Sequence, residues 1–62
     1  MAYPILKFFE YAHLPQHLQD VSKGACELAQ EMARSLPEGA EVSAGLRHLL
    51  EAKDCFVRAA LK

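Results

Sequence analysis

Leu36-Pro37-Glu38-Gly39 divides the chain into two segments of matching pattern. A proline and a glycine this close together end a helix and turn the backbone. Before the break, Leu14, Leu18, Val21, Ala25, Leu28 and Met32 recur at steps of four and three, the spacing of a helix with one apolar seam. After it, Val42, Leu46, Leu49, Leu50, Phe56, Val57, Ala60 and Leu61 form a second and wider apolar face. The pattern predicts an all-α fold, an antiparallel hairpin with helix 1 over 15–35, a turn at 36–39 and helix 2 over 40–61. Pro15 suits the first helical turn and disfavours helix at Leu14. Gly39 can cap helix 2, with Glu41 facing the positive end of its dipole. Gly24 lies inside helix 1, where glycine costs about 1 kcal/mol relative to alanine.

A hairpin of two rods has little interior, and 62 residues make one small domain at most. Yet 52% of the residues are hydrophobic, which argues against disorder. Leu46, Leu49, Leu50, Phe56 and Val57 spread beyond one stripe, and Ala52, Ala59 and Ala60 add small positions where backbones can approach. Such a face packs on its own partner arm and on a neighbouring chain at once. The expected assembly is a homo-oligomeric helical bundle.

Seven basic and eight acidic residues give a formal net charge of −1, which excludes strong steering toward DNA or an anionic membrane. No apolar run approaches the length that crosses a bilayer. The opening Met1-Ala2-Tyr3-Pro4 lacks the basic and then apolar pattern of a secretory leader. Folding the arms about Glu38 leaves Cys26 and Cys55 out of register by roughly 7 Å along the helix axis, which argues against a disulfide. Reduced thiols and a cytoplasmic location are therefore expected.

The segment 1–14 carries four of the five aromatics, Tyr3, Phe8, Phe9 and Tyr11, and reads either as a short helix or as an extended strap. His13 and His17 have a metal-ligand spacing, but no Cys or acidic cluster completes the set, so no metal is expected. His48 is the one histidine in the hairpin arms that could serve Cys26 or Cys55 as a base, and a third member is missing. Gly24, Gly39 and Gly45 are isolated, so no phosphate-cradling loop is present. The residues point to a non-enzyme without cofactor. Arg47, Glu51, Asp54 and Arg58 fit a solvated ladder of ion pairs on helix 2. Lys53 interrupts the apolar row, its stem covering apolar surface or its ammonium meeting an anion. A more specific grouping joins Phe8, Phe9 and Tyr11, which can stack on purines, with Lys23, Arg47 and Arg58, which can hold phosphates. Plain packing of the aromatics is the competing reading.

The run Phe9-x-Tyr11-x-His13, then Leu28-Ala29, Leu36-Pro37-x-x-x-Glu41, Leu46-Arg47-x-Leu49-Leu50-Glu51-Ala52 and Ala59-Ala60 resembles a family of small phage proteins. These are the anti-CBASS cyclic-nucleotide sponges, which share a helical hairpin with the Thoeris anti-defence sponges. The resemblance spans roughly Phe9 to Leu61. It implies homo-oligomers, often hexamers, that sequester cyclic di- or trinucleotides between protomers in the host cytoplasm without cleaving them. The family tyrosine that stacks on a base matches Tyr11, and the family's phosphate-touching basic residue falls on Ser22, next to Lys23. The intervening loop here is shorter and reads Leu14-Pro15-Gln16-His17. A structural or adaptor oligomer that docks on a protein through its apolar helix-2 face is the alternative.

Overall fold

A computed structural model describes residues 3–61. Met1 and Ala2, the first residues of the expected N-terminal segment, and Lys62 lie outside the described residues. Two long helices, α1 (Gln16–Ser35) and α2 (Ala40–Ala60), pack against each other as an antiparallel hairpin. A 3-10 helix, Pro4–Phe9, precedes them and packs on both. The N-terminal segment is therefore helical over those six residues. Pro4 opens it, where the missing N–H of proline costs nothing.

Pro15 stands immediately before α1 in an extended conformation, and its carbonyl accepts from the N–H groups of Leu18 and Gln19. The Gln19 side chain reaches back to the incoming loop, donating from Nε2 to the carbonyls of Leu14 (2.7 Å) and Ala12 (3.3 Å). Gly39 begins α2, its carbonyl accepting from Ser43 N–H, and Glu41 occupies the first turn. The boundaries at 35 and 40 match the sequence pattern; α2 stops at Ala60, with Leu61 as its cap.

The core differs from the seam that periodicity selects. Leu18, Ser22, Cys26 and Ala29 are the buried residues of α1, whereas Val21, Ala25 and Met32 are half-buried and Leu28 is 48% exposed. The centre of burial is thus turned around α1, away from Leu28 and toward the 3-10 helix. That helix supplies the reason: Tyr3, Leu6 and Phe9 pack into the core with Cys26, Ala29 and Leu46. Small residues of α1 leave room for these rings. Phe9 has no exposed surface at all.

Two polar links fasten the 3-10 helix. The Gly39 N–H donates to the Tyr3 hydroxyl at 3.1 Å, and Lys53 Nζ donates to the Phe8 carbonyl at 3.1 Å. Lys53 also pairs with Asp54 at 3.1 Å, and its side chain is only 12% exposed. Its stem is covered as expected, while the ammonium ends on a carbonyl. The expected ladder on α2 pairs differently: Glu51 meets His48 at 3.3 Å and Arg58 meets Cys55 Sγ at 3.3 Å.

Candidate functional site

The residues that follow the 3-10 helix form a turn, with Leu14 N–H donating to the Tyr11 carbonyl at 3.0 Å. That turn lays Glu10, Tyr11, Ala12 and His13 beside Cys26 and Gln30 of α1. Together they line a shallow recess of about 430 Å³. Tyr11 is half-buried, packs against the core and lines the recess. A ring anchored in this way loses little freedom when it stacks on a flat ligand.

Lys23 lies on the same side of α1. Gln19, Lys23, Cys26 and Gln30 follow one another at steps of four, three and four, one helical row. Gln19 grips the carbonyls on either side of His13, and Cys26 and Gln30 line the recess. The exposed Lys23 stands between them at the edge of that surface. Lys23 is not among the residues that line the recess with Tyr11.

The other candidates are dispersed. Phe9 is a core residue and has no face to offer a ligand, which removes it from the site. Phe8 is 56% exposed, with Lys7 Nζ 5.3 Å from its ring centre. Arg47 and Arg58 are both exposed, but eleven residues separate them on α2. At 1.5 Å per residue that is about 16 Å, too far to grip one phosphate from a single chain. Sequence reasoning passed over Gln19 and Gln30 as generic polar residues. Their signal was weak: a shared four-residue spacing with Lys23 and Cys26.

The recess holds a thiol that burial pushes above its ordinary value, with the charges of Glu27 and Glu10 adding to the rise. The hydrogen bond from Gln30 Nε2 to Cys26 Sγ (3.4 Å) and the Lys53 ammonium oppose it. Cys26 is thus a neutral thiol near pH 7, the unreactive kind. Both cysteines are free. Among the described residues no cluster of His, Cys, Asp or Glu has the arrangement to hold a metal ion, and no helix is long and apolar enough to cross a membrane.

Comparison with protein-family models, with curated proteins and with solved structures finds no match to this chain.

Proposed function

We propose that the chain is an oligomeric sponge that binds a cyclic di- or trinucleotide between protomers and holds it without chemistry. Tyr11, half-buried against the core and lining a recess with Cys26 and Gln30, is the observation that carries this reading, with Lys23 exposed on the same row of α1 outside the recess. A cyclic nucleotide needs an aromatic face for its base and a cation for its phosphate. The recess is shallow, and a second chain completes such a site by supplying the opposite wall. Arg47, Arg58 and the exposed Phe8 are then available to the ligand from a neighbouring protomer. The pattern of residues shared with the phage sponges points the same way.

Calorimetry of the assembled protein against a panel of cyclic di- and trinucleotides tests the proposal. Binding at micromolar affinity or better by one of them is expected. An assembled protein that gives no binding to any member sinks it.

The second reading is a structural or adaptor hairpin, favoured by Phe56 and Leu61, which are 64% and 63% exposed on α2 and its cap. Tyr11→Ala and Phe56→Glu separate the two. Loss of activity with Tyr11→Ala alone supports the sponge; loss with Phe56→Glu alone supports the adaptor.

A further inference from the structure

The recess beside Tyr11 has an acidic wall that stacking on an aromatic ring does not require. Glu10 lines it from the turn and Gln30 from α1. The same two residues border a neighbouring recess of about 380 Å³, together with Tyr3, Leu6 and Lys7. Glu10 and Gln30 are thus the partition between the two. Glu10 caps the 3-10 helix, its N–H donating to the Lys7 carbonyl at 3.4 Å, and it follows the wholly enclosed Phe9. Its backbone is therefore held in place. Its side chain is exposed and takes part in none of the ion pairs among the described residues. Gln30 Nε2 donates one hydrogen to Cys26 Sγ at 3.4 Å, which steadies the amide and leaves its second hydrogen for a ligand.

A carboxylate at this wall repels a phosphate and accepts hydrogen bonds from a base. Lys23, exposed on the same α1 row outside the recess, offers the phosphates a cation instead. We propose that the recess takes the base of a cyclic nucleotide and selects guanine, with Tyr11 on its face and Glu10 on its edge. The inference rests on the sponge reading and specifies the ligand of that same site.

Guanine alone among the common bases sets two donors side by side, N1–H and the N2 amino group, next to the O6 acceptor. A carboxylate has two acceptor oxygens and no donor, so it takes both hydrogens at once, and such charge-assisted pairs are the strong ones. The spare Gln30 hydrogen then serves O6. Adenine presents an N1 lone pair beside its amino group, so one carboxylate oxygen would face another acceptor. Cytosine has the same arrangement, and uracil sets its single N–H between two carbonyls. A buried edge left unpaired in this way costs binding rather than merely failing to add to it.

Calorimetry of the assembled full chain with the cyclic dinucleotides of guanine, hypoxanthine and adenine tests the choice, with circular dichroism to verify folding. The guanine compound is expected to bind about 10- to 100-fold tighter than the adenine compound, the discrimination of one bidentate pair. Hypoxanthine keeps N1–H and O6 but lacks the amino group, so its compound should fall between the two. Glu10→Gln keeps the shape of an exposed side chain and sets a donor against the base. That variant is expected to lose the guanine preference while binding the adenine compound no more weakly than the wild type does. An adenine compound, di- or trinucleotide, that the wild type binds as tightly as the guanine one overturns the inference and leaves the sponge reading standing. A guanine preference that survives Glu10→Gln in a folded chain overturns it too, again without touching the sponge. Failure of the assembled protein to bind any cyclic nucleotide removes both.

Discussion

Phe9 shows how one residue changes meaning between sequence and structure. Beside Phe8 and Tyr11 it reads as one more stacking face, but its ring is wholly enclosed by the 3-10 helix and the hairpin. Truncating a buried phenylalanine costs about 3–5 kcal/mol through lost transfer energy and the cavity left behind. A domain of this size has few kcal/mol to lose. Phe9→Ala is therefore expected to unfold a large share of the molecules at 37 °C by circular dichroism, whereas Phe8→Ala should leave the melting curve nearly unchanged. Cys26 supplies a pH test. Its folded-state pKa lies above the ordinary value of 9.0, so the folded state resists losing the proton. The neutral thiol leaves stability untouched below about pH 8.5. Above that, the unfolded chain releases its proton first, and stability falls as pH rises. Urea midpoints between pH 7 and 10 should decline in the wild type and decline less in Cys26→Ala. Tyr11 and Lys23 were legible as candidates from their chemistry. That Phe9 was not a third came from the path of the 3-10 helix, which has no periodic signal.

The elements repeat this division. Pro15, Pro37 and Gly39 mark where helices begin and end, because backbone constraints act locally. The burial of α1 was misread, since leucine and valine spacing outweighs serine, cysteine and alanine in any apolar pattern. The centre of its buried surface is set by the small residues, which admit Tyr3, Leu6 and Phe9. Of the leucines read as seam, Leu18 is buried as that pattern requires, whereas Leu28 is 48% exposed. No sequence rule pairs Lys53 with the Phe8 carbonyl, 45 residues away. Removing that bond in Lys53→Met keeps the apolar stem and is expected to cost about 1–3 kcal/mol, read from urea denaturation at constant m-value. Gly24 gives the opposite sign. It is exposed inside α1, and a Cβ there would meet nothing within 4 Å. Gly24→Ala should stabilise by roughly 0.5–1 kcal/mol through the smaller entropy lost on folding.

Across the described residues, the core is one small cluster of six buried members, three of which are Leu6 and Phe9 of the 3-10 helix and Tyr3 at its N-cap. The hairpin alone has little with which to hold itself together, and its exposed large apolar residues, Leu28, Leu36, Phe56 and Leu61, are spread over both helices and their ends. The surplus of apolar residues was legible in the sequence; which of them stay exposed was not, because that depends on which side the 3-10 helix covers. If the sponge reading is right, Tyr11→Ala removes ligand binding in calorimetry and leaves the sedimentation mass unchanged. A wild-type protein given its ligand should also melt higher, by about 2.7 kcal/mol of added stability at a hundredfold excess over Kd.

The bond between Tyr3 and Gly39 has a practical corollary for re-engineering the chain. It pins the first described residue beside the start of α2, while Leu61 caps the far end of that same 21-residue helix. About 31 Å of helix therefore separates the Tyr3 hydroxyl from Leu61. A tether meant to run from Tyr3 to Leu61 along α2 needs about nine or ten extended residues at ~3.3–3.6 Å each. Shorter tethers would tear the tyrosine from its amide before the new chain could close.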